Sequence, residues 1–449
     1  MKKFASLLIC LTMLLSLVSC LPENSDNIKL ESDRVVTEHK GTVIKTDGNE
    51  NSSSSDKNSA PQKSTSSTTV KTTITKETKQ KVEDKIKDVT SSLSENTDWG
   101  GMDSLMGSKD YAEDIIDYSS LDPVHLRPSI LIETPQDLIN FSNDFKSDSD
   151  FFGWTLEFNN DIDMTGYEWI PLGTLENPFD LSIVGNNHTI KNLTITEIDP
   201  SVIDSEGCAH LGFIGYSVSD YIVGLNIENI SINVSATEDT PIIFAGGLMG
   251  TSYPYVTNLV MSEIKVSGNI NITGSNLAIG SVGGVFGGAK FESINNGMTL
   301  VATESNVNIS VDGFYTIAGG IIGTGIFIKD ESGSTNFANL TYVGTIDDKS
   351  QLSFVGGFCG LCSGEGTPSF KDSYFSTTVK RVLDNETSED IQILGIIAGG
   401  IDVYTGSFAF ENITGNIIYN GKIVDSAFCY YEEGKVIYNS CKPNVKLPN

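Results

Sequence analysis

The sequence predicts an all-β chain: a right-handed parallel β-helix, or β-solenoid, with a short N-terminal capping helix and a disordered N-terminal tether. Three observations carry this. A glycine motif recurs six times at a nearly constant step. Between its copies, Ile, Val and Leu alternate with Asn, Ser and Thr. The 43 glycines outnumber the 13 prolines, which suits a turn-rich β chain better than a helical one.

Taken in chain order, the first element is a leader. Met1-Lys2-Lys3 is basic, and Phe4 to Leu17 is apolar and uncharged. That stretch is short for a membrane span and has the length of a signal-peptide core. It ends at Leu17-Val18-Ser19-Cys20, which resembles the bacterial lipobox. The resemblance implies a signal peptide at 1–19 and a diacylglycerol on the Cys20 thiol. A second acyl chain would make such an anchor stable, because one chain alone holds weakly. Leu21 is not Asp, so the familiar inner-membrane retention signal is lacking. An outer-membrane or cell-surface destination follows as the expectation.

Residues 20–125 read as a tether. Asn51-Ser52-Ser53-Ser54-Ser55 and the Ser/Thr/Lys run that follows hold too little apolar surface to fold. Within 76–95, Val82, Ile86, Val89 and Leu93 form one apolar stripe, the mark of a marginal helix. The segment 126–205 opens the folded part. Thr134-Pro135-Gln136-Asp137 has the residues of a helix start, and Leu138, Ile139, Phe141 and Phe145 supply its apolar face. A helix here would cover the open first rung of the stack. Alternating strands follow at Trp154–Phe158, Leu181–Ile183 and His188–Ile195, with Asn186-Asn187 as a turn.

The repeats occupy 206–405. Gly212-Phe-Ile-Gly215 recurs as Gly247-Leu-Met-Gly250, Gly284-Val-Phe-Gly287, Gly320-Ile-Ile-Gly323 and Gly357-Phe-Cys-Gly360, and degenerately as Gly395-Ile-Ile-Ala398. First glycines are 35, 37, 36, 37 and 38 residues apart. One such unit cannot bury a core of its own, whereas stacked units share one. The doubled glycines suit a bend where no Cβ fits, so Gly320→Val should cost more stability than Gly395→Val in the degenerate copy. A β-propeller is the alternative. Blades usually carry a recurring aromatic signature, yet Trp99, Trp154 and Trp169 all precede the first copy. Residues 406–449 read as a C-terminal β cap.

These motifs resemble the GLUG repeats of bacterial surface proteins. The likeness extends to Ile132–Leu138, Asn160–Met164, Trp169–Gly173 and Gly185–Leu193, and covers roughly 130–400. It implies a surface β-helix. Several members of that group are adhesin-like or bind extracellular partners, and some accompany IgA-cleaving metallopeptidases. The expectation is therefore a non-catalytic surface lipoprotein whose partner is an extracellular protein or carbohydrate. A structural spacer, or less readily a carbohydrate-active enzyme, is the alternative.

Composition narrows the partners. With 29 basic and 58 acidic residues the formal charge is −29, which repels nucleic acid and anionic headgroups. Arg34, Arg127 and Arg381 are the only arginines, too few for bidentate recognition of a polyanion. The membrane would be reached through the lipid alone.

No catalytic residue, metal site or cofactor is expected. His39, His125, His188 and His210 form no zinc-peptidase helix motif. Asp161 and Asp163 could pair for glycoside hydrolysis or calcium, but a structural turn role fits better. His188 reads as a structural hydrogen-bonder. Cys359-Gly-Leu-Cys362 has redox spacing inside a glycine copy, where a core role is expected for Cys359. Cys429 and Cys441 flank a hairpin and could form a disulfide. Tyr216, Tyr253, Tyr255, Phe291, Phe327 and Tyr404 follow the glycine motif and could stack into an exposed ligand-binding strip; packing at the corner is the alternative.

Overall fold

A computed structural model describes residues 128–446, apart from 148–150, 152, 206, 220, 254–259, 293–298, 329–334, 351, 365–367, 382–390, 405–408, 425–428, 433–434 and 439–444. The fold is a parallel β-solenoid, as the repeat predicts. Every coil contributes strands that pair in parallel with the coils before and after it. The expected signal peptide, the expected tether and the 76–95 stripe lie outside the described residues.

The first strand, Ser129–Ile132, pairs with Thr155–Phe158. Between them runs the predicted helix, Pro135–Ser147, with Leu138, Phe141 and Phe145 buried. Its start is a reciprocal cap. The Asp137 amide donates to Thr134 Oγ1 at 3.2 Å, and the Thr134 amide donates to Asp137 Oδ2 at 2.9 Å. The segment 126–205 thus places a helix over the first coil.

Beyond it each coil has the same plan. A short strand, as in Tyr221–Val223 or Asn336–Ala338, leads to one residue in the left-handed region and then a longer strand, as in Asn226–Ser235 or Thr341–Asp348. The left-handed residues are Gly224, Glu263, Ala302, Asn339, Asp372 and Asn412, with φ between 48° and 68°. They stack, because the residue before each pairs with its counterpart in the next coil. The result is a short ladder and a long ladder joined at a corner.

The chain then enters a strand that ends in glycine, such as Ile242–Gly246 or Tyr315–Gly319, bends, and leaves along Met249–Ser252 or Ile322–Ile328. Six strands form a pre-glycine sheet and six a post-glycine sheet. At the bend tips Leu248, Val285, Ile321 and Phe358 point into the core; Phe358 meets Phe370 at 4.8 Å and Phe375 at 5.9 Å between centroids.

These two sheets bury both of their faces. One face packs on the ladders through residues such as Val282 and Phe286. The other faces its partner sheet. Ser281 donates to Gly287 O at 2.8 Å and pairs with Thr324 at 2.8 Å across this contact. The approach is close enough that backbone touches backbone. A Cβ at Gly323 or Gly360 would lie 2.7 Å from the amide nitrogen of Val282 or Ala318 in the opposite sheet. The last glycine of each copy therefore sets the sheet separation. The first pair sets the bend.

Register corrects the reading of the terminal copies. Gly395 pairs with Gly356, not Gly357, and Ala398 pairs with Cys359. The last copy is thus Gly395-Ile396-Ile397-Ala398-Gly399, with Ile396 where the central copies have their second glycine. Gly399 keeps the close approach, against Val355 N. A Cβ at Gly357 would overlap Ile396 O of the following coil, just as one at Gly320 would overlap Gly357 O. In the last copy that position carries a side chain. In the first copy, Leu211 pairs with Ala245 and Ile214 with Met249, so Gly212 alone spans a bend that elsewhere needs two glycines.

At the C-terminal end, Lys422–Val424 pairs antiparallel with Ile413–Tyr419, and Val445–Lys446 pairs with its start. The hairpin of Cys429–Glu432 and Lys435–Tyr438 follows.

Candidate ligand-binding face

Of the aromatic residues after the glycine motif, Phe291 and Phe327 share one register column, whereas Tyr216 aligns with Thr251. Tyr216, Tyr253, Phe291 and Phe327 are all buried, which overturns the expected exposed strip. The reason is the two-faced burial of the post-glycine sheet, on which both sides of a strand are covered. Phe291 and Phe327 lie parallel at 5.2 Å and meet Phe337 of the short ladder edge-on. The Lys290 ammonium sits 4.3 Å from the centre of the Tyr253 ring and hydrogen-bonds its hydroxyl. Tyr216 meets His210 edge-on at 5.4 Å. Tyr404 ends the strand Ala398–Tyr404, and its side chain lies outside the described residues, as does Tyr255. Cys20 and Cys441 are likewise outside them, and of Cys429 the backbone alone is described.

The residues weighed for chemistry are committed to structure. Asp161 accepts from Lys191 Nζ at 3.0 Å and from the Thr189 amide at 3.1 Å, with His188 at 3.4 Å. The Lys191 bond chiefly holds its carboxyl below the ordinary carboxylate range. Asp163 accepts from Thr165 and Asn192, and these bonds lower it too. Both carboxylates thus tie the first turn to the following coil. Neither has the raised value of a general acid.

Cys359 is a buried core residue paired with Ile322, as its place in the repeat predicts. Burial, with the neighbouring Cys359 thiol, pushes the Cys362 thiol up. A buried neutral thiol is a poor nucleophile.

Two buried polar networks were not legible in the sequence. In the first, Asp204 Oδ2 lies 3.1 Å from His210 Nε2, and His210 Nδ1 lies 2.8 Å from Thr251 Oγ1. An acid–imidazole–hydroxyl chain of this kind resembles hydrolytic machinery in outline. All three residues are buried, and Phe244 stacks on the imidazole at 5.6 Å. No substrate reaches the hydroxyl, so the chain works as a clamp between the pre- and post-glycine sheets. In the second, Asp348 accepts from Ser353 at 2.6 Å and from the Ser350 amide at 3.0 Å, while Arg381 donates to Ser350 O at 3.2 Å. Burial pushes the Asp348 carboxyl up. Residue pairs 41 and 31 apart in sequence meet in these networks, and no local pattern announces such contacts.

The outer face of the long ladder is open to solvent. Its strands alternate buried apolar with outward polar residues. Asn269, Asn308, Thr345 and Thr378 form one outward column in register, and Asn233, Asn271, Ser310 and Asp347 another. Neighbours within a column bond to each other: Asn271 to Asn233 at 2.7 Å, Asn308 to Asn269 at 3.3 Å, Thr345 Oγ1 to Asn308 at 2.9 Å. Each carboxamide keeps further donors and acceptors for solvent. The charged residues here pair across coils, Lys265 with Glu304 at 3.2 Å and Lys380 with Asp347 at 3.8 Å. Two apolar side chains interrupt the polar surface, Val343 at 46% and Tyr374 at 41% exposure.

No family profile matches the chain, and no curated relative does. Among solved structures it is similar to a "putative immunoglobulin A1 protease" from Bacteroides ovatus. The TM-score is 0.37 and the identity 16%, over 66% of this chain and 79% of that one. A likeness of this size carries no argument about chemistry.

Proposed function

We propose that the chain is a non-catalytic, lipid-anchored surface module of the GLUG-repeat kind, which displays the long-ladder face to an extracellular ligand. One observation carries this reading. The long ladder presents a regular array of hydrogen-bonding side chains to solvent, while the pre- and post-glycine sheets are consumed by packing. The Leu17-Val18-Ser19-Cys20 segment supports the anchor, and the Ser/Thr-rich stretch after it supports a tether that holds the solenoid away from the membrane. The formal charge of −29 supports an exclusion of nucleic acid as partner.

Two measurements test it. Cys20→Ala should abolish metabolic lipid labelling and release the protein from the membrane fraction; an unchanged lipid signal would remove the anchor. The released full chain should then bind at least one component of a glycan and host-matrix array. Asn308→Arg, an exposed change that leaves the core untouched, should weaken that binding. Binding indifferent to every outward change on the long ladder would move the ligand elsewhere.

A further inference from the structure

We infer that the C-terminal half of the long ladder carries a subsite for an uncharged glycan, centred on the Tyr374 ring. The inference rests on the display reading and names its ligand class.

Tyr374 opens the strand Tyr374–Arg381, directly after the corner at Asp372. It pairs with Thr341 on one side and Thr414 on the other. Two residues along, Val343, Ser376 and Asn416 share the next outward row. The core side of the same strands is closed by Tyr342, Phe375 and Ile417, all buried. Tyr374 therefore faces outward because strand alternation leaves it no other side. Burying an aromatic ring stabilises far more than exposing it. Tyr374 and Val343 thus set a small apolar surface among the polar side chains of this face.

The chemistry of the surroundings selects the occupant. A pyranose offers an apolar C–H face to a ring and a rim of hydroxyls that both donate and accept. Around Tyr374 the flanking groups are Thr341, Thr414, Ser376 and Asn416, every one able to do both. Ser376 already donates to Asn416 Oδ1 at 2.8 Å, which fixes the carboxamide and leaves its N–H groups for a partner. Successive coils repeat at about 4.8 Å and outward residues along a strand at about 6.6 Å, so polar groups flank the ring on all sides.

Charge decides between glycan classes. Of the charges around it, Lys371 pairs with Glu411 at 3.1 Å and Lys380 with Asp347 at 3.8 Å, while Asp372, two residues before the ring, is an anion that accepts from Asn412 at 2.7 Å. Among the described residues no unpaired cation flanks the ring to receive a carboxylate or sulfate, and the chain's charge of −29 opposes polyanions at long range. A neutral glycan meets neither obstacle.

The test uses the otherwise complete chain made soluble by Cys20→Ala. It is probed with neutral gluco-, galacto-, manno- and xylo-oligosaccharides, beside polygalacturonate, sialylated glycans and matrix proteins. Binding to at least one neutral oligosaccharide is expected. Tyr374→Ala should weaken it by at least about tenfold, and Tyr374→Phe, which keeps the ring, by less than about threefold. Because Tyr374 is exposed, the unfolding midpoint of both variants should match the parent, which separates lost binding from lost folding. Neutral binding indifferent to Tyr374→Ala, or binding confined to anionic glycans or to proteins, overturns the inference. In the protein case the display reading stands without it. Failure to bind any member of the array removes both.

Discussion

Gly320 is a position where a single hydrogen matters. A Cβ there would overlap the Tyr342 ring and the Gly357 carbonyl of the next coil. The ring could shift; the stacked backbone could not without opening the ladder. Gly320→Ala should therefore cost about 2 kcal/mol or more, by the usual scale of overpacking. Ile396 occupies the same place in the last copy and shows that the demand comes from the coil above. Ile396→Val, which removes one buried methylene and leaves a side chain there, should cost about 0.5–1.5 kcal/mol and less than Gly320→Ala. Chemical denaturation of both variants decides it. Equal losses would mean that stacking is not the cause. Gly395 is a poor comparison for Gly320, because it belongs to the first-glycine column and a Cβ there would overlap Ala398 O.

Asp348 gives a prediction in pH at the same scale. Burial raises its folded value above the ordinary 3.8, despite the bonds from Ser353 and Ser350 and the Arg381 charge. A raised folded value means that its contribution to stability is fullest below the unfolded value and is lost as pH rises through the folded one. Asp348→Asn keeps an acceptor for the Ser350 amide and removes the buried charge. The stability of this variant relative to the parent should thus be greater at about pH 7 than at about pH 4. A difference independent of pH would show that the carboxyl stays ionised throughout. Asp161 and Asp163 act in the opposite sense. Their lowered values stabilise above the unfolded value and are lost on acidification, weakly because both are exposed.

At the scale of the element, the corner between the ladders is built from residues of unequal fitness. Gly224, Asn339 and Asn412 adopt left-handed backbone readily, and Asn412 also donates to Asp372 at 2.7 Å. Glu263 and Ala302 adopt it at a cost, with φ of 57° and 51°. Ala302→Gly should relieve that cost and raise stability by about 0.5–1 kcal/mol, even after the entropy of a freer unfolded chain. Ala302→Val should lower it. If calorimetry finds Ala302→Gly destabilising, the corner is held by something other than backbone conformation. The corner is not marked in the sequence. Val260–Thr273 and Thr299–Val311 run through it without a glycine or proline to mark the bend.

For the molecule as a whole, each coil touches its neighbours and little else, so protection should depend on place in the stack. Amides of Ile279–Gly283 and Tyr315–Gly319, with coils on both sides, should exchange more slowly than those of Cys208–Leu211 and Ile391–Gly395 at the sheet edges. Hydrogen exchange with mass spectrometry reads this directly. Uniform protection would indicate one cooperative unit.

The sequence by itself determined the solenoid, the helix over its first coil and the approximate length of a coil. These follow from local causes: period-two alternation, a capped helix start, and glycines at a fixed step that no other residue can replace. Tertiary structure decided which faces are free. Alternation tells that a strand has two sides but not what covers each: Tyr216 lies against His210 of the pre-glycine sheet, and Phe291 and Phe327 lie against Phe337 of the short ladder, so both sides of the post-glycine strands are covered. Register, too, was decided by pairing, which moved the last copy by one residue and put Ile396 at the vacant end of the bend column. The outward face of the long ladder was legible as Asn, Ser and Thr, but not as a candidate site. What distinguishes Tyr374 is that its neighbours on three strands are uncharged and its core side is full, and that is a property of coils lying side by side.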